Sequence, residues 1–200
     1  MTVGRRLIFR MALAVSCAAA SAASPRAASA QAAGAPAAAD VQFMQGMIHH
    51  HAQAIEMVRL IADRTTSPLL RSRGERIDVS QKDEIAMMQQ WLRAHGQEAP
   101  DPLPHLGMDM GDHDMPMMPG MLTRAQMTDL KAARGAAFDR LFLSGMIQHH
   151  SGALDMVAAL FATTGAAQNT AIFRFASDVD ADQRAEIARM RAMLSNLPSK

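Results

Sequence analysis

The chain has 200 residues, of which 49% are apolar and 4% aromatic, and its 18 methionines stand beside one cysteine and no tyrosine. This length suits one domain or one duplicated domain, and abundant Ala and Met favour helices over strands. A formal net charge of +1 without a basic cluster argues against nucleic acid as a partner.

Residues 1–30 are predicted to be a signal peptide that is removed on export. A basic start with three arginines is followed by an acid-free run of small and apolar residues, and an A-x-A sequence ends at Ala30. Removal leaves 16 basic and 19 acidic residues, a net charge of −3, and no cysteine. We therefore expect a periplasmic or secreted protein that lacks disulfides and thiolate ligands and has no membrane span. The choice between the Sec and twin-arginine pathways stays open.

Two segments of the remaining chain repeat each other. FMQGMIHHHAQAIEMV at 43–58 matches FLSGMIQHHSGALDMV at 142–157, and QKDEIAMMQQWL at 81–92 matches QRAEIARMRAML at 183–194. Ordered matches of this kind indicate that a helix–turn–helix unit has been duplicated. Two such hairpins predict an all-α four-helix bundle.

The predicted elements follow in chain order. Residues 31–39 form a flexible lead-in, and residues 40–197 form a single duplicated helical domain. Within that domain, hairpin one covers 40–96, a Met/His-rich loop covers 97–122, and hairpin two, which begins with a short helix, covers 123–197. Pro and Gly residues in the loop break any helical period.

Helical periodicity places a histidine pair on the inner face of each hairpin. His50 and His51 share a stripe with apolar residues of the first helix, whereas His49 points away from it. The second copy repeats the inward pair as His149 and His150 but has glutamine in place of His49. The repeated pair is therefore the stronger candidate for function.

The second helix of each hairpin carries an inward amide and an inward carboxylate, Gln81 with Glu84 and Gln183 with Glu186. Burying such groups without partners costs several kcal/mol, so the histidines of the facing helix are their expected partners. This arrangement supports two interpretations, a metal site or a polar network that fixes the helix register.

Imidazole and thioether side chains together suit Cu(I) and Ag(I), and Cu(II) where imidazole dominates. We predict that copper is the bound ion, with Cu(I) favoured and silver as an alternative. The candidate ligands of the hairpins are Met47, His50, His51, Met57, Glu84, Met88, Met146, His149, His150, Met156, Glu186 and Met190. The glutamates could bind the ion or orient a ligating histidine. Methionine at helical spacing is also ordinary core filler.

The central loop is dense in methionine where no core requires it, which predicts a flexible segment that scavenges copper. Its candidate ligands are His105, Met108, Met110, His113, Met115, Met117, Met118 and Met121. A Met-rich linker folded over the bundle is the alternative interpretation.

The pattern F-x-x-G-M-I-x-H-H, followed by Q-x-x-E-I-x-x-M, resembles the domain-of-unknown-function 305 family over residues 40–197. The resemblance implies a ferritin-like bundle in an exported bacterial protein, and some members, the CopM type, bind copper and support copper resistance. The residues to which this carries over are His50, His51, Met57, Gln81, Glu84, Met88, His149, His150, Met156, Gln183, Glu186 and Met190.

The sequence thus predicts an exported protein that buffers, scavenges or delivers copper, with a copper exporter or a periplasmic chaperone as candidate protein partners. The alternative is a helical interaction module that binds no metal and whose His, Glu and Gln groups form a structural core network. Catalysis is not expected, because the chain contains no Glu-x-x-His motif and each hairpin has one inward acid, too few for a di-iron site.

Overall fold

The computed structural model describes residues 35–102 and 118–198, which are largely helical and contain no strand. The helices are α1 (Ala38–Arg59), α2 (Ile61–Arg64), α3 (Pro68–Ala94), α4 (Arg124–Ala132), α5 (Gly135–Ala162) and α6 (Thr170–Ser195). Helix α1 packs against α3 and α5, and α5 packs against α6. The two hairpins, α1–α3 and α5–α6, therefore join through α1 and α5 into the predicted four-helix bundle.

Several helix ends follow directly from the sequence. The Ser67 side chain accepts a hydrogen bond from the backbone at the start of α3, and Thr123 and Gln126 form a reciprocal capping box on α4. Gly96, with φ of +67°, follows the end of α3. The first helix of the bundle is interrupted at Leu60 and resumes as α2. None of the described helices is long and apolar enough to span a membrane.

The core consists of two apolar clusters, one toward each end of the bundle. The first joins the beginning of α1 and the end of α3 to the end of α5 and the beginning of α6, with Phe43 and Phe175 edge to face at 6.2 Å between ring centroids. The second joins the opposite halves of the same helices around Phe138 and Phe142. Each apolar cluster therefore draws on both hairpins, and a layer of polar side chains lies between the two.

Residues 118–122, which we call the strap, lie against α1 and α5. The side-chain amide of Gln53 in α1 makes two hydrogen bonds with the backbone of Leu122. It accepts from the Leu122 N–H at 2.7 Å and donates to the Leu122 carbonyl at 2.9 Å. On α5, Gly152 touches the backbone of Pro119 and Gly120 so closely that a Cβ atom there would overlap the Pro119 carbonyl. The end of the central loop is thus fixed to both hairpins.

Candidate functional site

The layer between the two apolar clusters contains polar side chains from the four long helices. Its members are His50, His51, Gln81, Glu84, His149, His150, Gln183 and Glu186. The four histidines and two glutamines are buried, and the glutamates keep 13% and 14% of their side-chain surface exposed. The predicted inward-facing polar residues of the two copies therefore meet in one place.

One histidine of each pair binds the glutamate of its own hairpin. The Nε2 atom of His51 lies 2.5 Å from Oε2 of Glu84, and Nε2 of His150 lies 2.7 Å from Oε2 of Glu186. The other oxygen of Glu84 accepts a hydrogen bond from Ser80 at 2.9 Å. A carboxylate that accepts from Nε2 fixes the imidazole ring and leaves Nδ1 as its second nitrogen.

The other two histidines meet each other between the hairpins. The ring centroids of His50 and His149 are 3.8 Å apart, with the ring planes tilted by 38°. The Nε2 of His149 donates to the His50 carbonyl at 2.9 Å, whereas Nε2 of His50 donates to the Pro119 carbonyl of the strap at 3.0 Å. Because carbonyl oxygens only accept, both Nε2 atoms must carry the proton.

The four imidazoles form a continuous series between the two glutamates. Successive ring centroids are separated by 6.3 Å from His51 to His50, by 3.8 Å from His50 to His149, and by 6.2 Å from His149 to His150. The series joins α3 to α6 through the α1–α5 contact, so the layer is one connected unit rather than two separate hairpin sites.

Burial determines the protonation states in this layer. Desolvation, helped by the charge of His51, lowers the pKa of His50 to about 3, and desolvation also lowers the pKa of His149 well below its usual value. Burial opposes ionisation of Glu84, but hydrogen bonds and charge from His51 outweigh it and lower the pKa of that carboxyl. The central histidines are therefore neutral at pH 7, while Glu84 is ionised.

The Nδ1 atoms of the four layer histidines are buried and find no hydrogen-bond partner in residues 35–102 or 118–198. In the two central histidines Nδ1 carries a lone pair, because the proton is on Nε2. A buried polar atom left without a partner costs about 1–3 kcal/mol. Imidazole nitrogen is a ligand for Cu(I), Cu(II) and Ag(I), so the donor chemistry of the layer fits the predicted ions.

The layer also faces a groove between α3 and α6. The groove has a volume of about 450 Å³ and is lined by Ser80, Asp182, Glu186 and several arginines. Burial, and then the charges of Glu84, Asp178 and Glu186, raise the pKa of Asp182. The His150–Glu186 pair is thus adjacent to solvent, whereas the central histidine pair is enclosed.

The predicted methionine ligands of the bundle are placed differently from the histidines. Those that are fully buried lie in the apolar clusters on either side of the layer, with Met47 and Met88 in the first cluster and Met57, Met146 and Met190 in the second. No group of three or more His, Cys, Asp or Glu side chains with metal-binding placement occurs in residues 35–102 and 118–198. The structure therefore brings together the histidines and glutamates of the prediction and divides the fully buried methionines between the two apolar clusters.

The loop candidates lie mostly outside the described residues, namely His105, Met108, Met110, His113, Met115 and Met117. Met118 and Met121 belong to the strap and are half-buried. Sequence reasoning missed Gln53, Gln148 and Pro119, which attach the strap to the bundle. The repeated glycines Gly46 and Gly145 lie beneath Met118 and Leu122, but the sequence does not show which segment covers them.

Comparisons with known proteins agree with the all-helical fold and identify the family. The family model described as "Domain of unknown function (DUF305)" matches residues 40–194. A DUF305 protein from Streptomyces coelicolor, described as secreted, is 28% identical with a TM-score of 0.67, and the alignment covers 81% of this chain and 95% of that chain. No curated protein matches the chain.

The chain is also similar to solved structures of CopM. The Cu(I)-bound form is 25% identical with a TM-score of 0.60, covering 80% of this chain and 98% of that chain. The Cu(II)-bound form is 27% identical with a TM-score of 0.62, covering 78% and 96%. A silver-bound form is 25% identical with a TM-score of 0.59, covering 80% and 98%.

Proposed function

This chain belongs to the DUF305 family, and we propose that within it the protein is exported and binds soft metal ions, copper first and silver as an alternative. Its role would be to buffer, scavenge or deliver the ion, by binding rather than by turnover. Export is supported by the basic and apolar character of residues 1–30 and by the similarity to a protein described as secreted.

The observation that carries the proposal is the set of four buried imidazoles whose Nδ1 atoms lack partners in the part of the chain that the structure describes. Histidines that bind metals commonly give their second nitrogen to a carboxylate or a carbonyl, which fixes the ring and raises its basicity. His51 and His150 use a glutamate for this purpose, and His50 and His149 use a backbone carbonyl. Each ring is thus held with its remaining nitrogen unused.

The neutral state of His50 and His149 also favours the binding of a metal ion. Because the pKa of His50 is lowered to about 3, protons do not compete for its Nδ1 atom at neutral pH. The similarity to CopM, which has been solved with Cu(I), Cu(II) and silver, supports the choice of ions. The central loop adds thioethers that could collect the ion before it reaches the bundle.

A titration of the exported chain with Cu(I) and Ag(I) against a competing chelator tests the proposal. We expect tight binding that weakens by at least tenfold in the His51→Gln/His150→Gln variant, because one nitrogen is lost from each copy. His95→Gln is the matched control, since His95 is half-buried and stacks on Trp91 away from the layer. Circular dichroism should show that helicity is kept.

Deleting residues 105–117 separates the loop from the layer while leaving the strap in place. We expect this deletion to lower the number of Cu(I) ions bound without changing the helical content. Wild-type protein that binds neither Cu(I) nor Ag(I) at micromolar concentration would overturn the proposed function.

One observation favours the second candidate, a metal-free interaction module with a structural core network. The Nε2 atoms of the four layer histidines already have partners within the chain, and these hydrogen bonds could fix the helix register without an ion. In that case the His51→Gln/His150→Gln variant would lose stability, while wild-type protein would bind no metal.

A further inference from the structure

Two methionines, one from the predicted loop ligands and one from the predicted hairpin ligands, lie close to one glycine of α1. The Sδ atom of Met118, in the strap, and the Cε atom of Met156, in α5, each lie 3.5 Å from the position that a Cβ atom on Gly46 would occupy. These two side-chain atoms therefore cannot be farther apart than twice that distance. Both methionines are half-buried, so solvent reaches them.

The same face of α1 also presents an imidazole. Gly46, His49 and Gln53 are spaced i, i+3 and i+7, which puts them on one stripe of the helix. A Cβ atom on Gly46 would lie 3.5 Å from Met118, and Gln53 binds the backbone of Leu122, so the stripe lies under the strap. His49 lies between them on this stripe and is half-buried. Helical periodicity alone places His49 on the side of α1 that faces away from the core, and the strap covers this side.

The second copy provides an internal comparison. Gly145 of α5 is equivalent to Gly46, and the side chains above it are Leu122 and Met57, with a Cβ position 3.0 Å from Leu122 and 3.3 Å from Met57. Both of these side chains are buried. Gln148 occupies the place of His49 and donates to the Gly120 and Met121 carbonyls of the strap.

We propose that Met118, Met156 and His49 form a soft-metal site for Cu(I) or Ag(I) on the strap side of α1. Two thioethers and one imidazole are donors that these ions prefer, and Gly46 leaves the space in which the donors converge. The equivalent place in the second copy has one enclosed thioether, a leucine and an amide, and it binds no ion. This proposal rests on the proposed function and adds a location distinct from the histidine layer.

The experiment labels the methionine ε-methyl groups of the exported chain with ¹³C and titrates it with Ag(I). We expect the first equivalents to shift the resonances of Met118 and Met156 together, with Met118→Leu and Met156→Leu assigning the two signals. Each of these near-isosteric variants, and His49→Gln, should weaken this event at least tenfold. Met87→Leu is the control, because Met87 is 45% exposed on α3 and belongs to neither site.

The outcomes separate this inference from the proposed function. If wild-type protein binds Ag(I) but the Met118 and Met156 signals stay in place, or if Met118→Leu and Met156→Leu bind as wild type does, the strap site is wrong while the function stands. If wild-type protein binds no Ag(I) or Cu(I), both fail. A Met57 signal that shifts with the first equivalents would also contradict the difference between the copies.

Discussion

The two copies of the hairpin motif differ most where the single central loop touches them. Both copies pair a histidine with a glutamate, at 2.5 Å in the first and 2.7 Å in the second. The remaining two histidines have different hydrogen-bond partners. His149 donates to the carbonyl of His50, whereas His50 donates to the carbonyl of Pro119 in the strap.

The difference shows how a duplicated protein acquires an asymmetric site. The two His–Glu pairs join elements that are themselves duplicated, so the same pairing occurs in both copies. The strap occurs once and runs along the α1–α5 junction, so it presents Met118 to Gly46 and Leu122 to Gly145. Function specific to one copy is therefore expected on the strap side, and shared function in the layer.

The largest effect that tests this comparison is acid destabilisation by the two central histidines together. The folded-state pKa of His50, about 3, lies below the ordinary value of 6.5, so the unfolded chain binds the proton first and stability falls as the pH drops below 6.5. Between pH 7 and pH 5 proton binding by His50 in the unfolded chain should lower the free energy of unfolding by about 2 kcal/mol, and His149 adds a further loss in the same direction, so that the two together exceed the effect of any single variant below.

Urea denaturation at pH 7 and pH 5 measures this loss. His50→Gln and His149→Gln should each reduce the pH dependence, whereas His95→Gln should leave it as in wild type. Stability that is the same at both pH values would show that the central pair is not held neutral by burial.

Next in size is the cost of removing the histidine from a His–Glu pair. His51→Leu and His150→Leu each leave a largely buried carboxylate without its partner, which should lower the free energy of unfolding by about 3 kcal/mol. We expect the smaller loss for His150→Leu, because Arg73 lies 4.0 Å from Glu186 and keeps part of the compensation.

Denaturation of the double variants His51→Leu/Glu84→Leu and His150→Leu/Glu186→Leu is the matching control. Each should recover most of the lost stability, because the unpaired charge is gone. A double variant as unstable as its single variant would mean that packing, and not the charge, is responsible.

The smallest effect compares two glycines under the strap. Gly152→Ala forces a Cβ atom into the Pro119 carbonyl, and we expect it to cost about 2 kcal/mol because backbone must move. Gly46→Ala meets ordinary contacts at 3.5 Å and should stabilise α1 by about 0.5–1 kcal/mol. Thermal or urea unfolding of both variants checks the contrast, and equal effects would argue that the strap does not lie against α1 and α5.

Much of this arrangement can be predicted from the sequence because it depends on local periodicity and on duplication. The capping box at Thr123 and the inward positions of His50, His51 and Glu84 follow from helix geometry and from comparing the two copies. The pairing of His51 with Glu84 also follows from the need to satisfy buried polar groups.

The remaining features depend on contacts between segments that periodicity does not relate. Nothing in the pattern around His49 shows that a loop more than sixty residues later covers it, so the residue reads as outward-facing. Similarly, periodicity marks Met47 and Met88 as inward-facing, but it does not show that both side chains belong to the same apolar cluster. Periodicity shows which residues share a face of a helix, but it does not show which segment of the chain packs against that face.

The surface on which the strap lies has a consequence for the order of folding. It is formed by α1 on one side and α5 on the other, so it does not exist until the two hairpins have associated. The strap can therefore dock only as a late step, after the long helices are in place, and its amides should be among the first to open in the native state. The Leu122 N–H, bound to Gln53, becomes a reporter of whether the two halves of the chain are assembled.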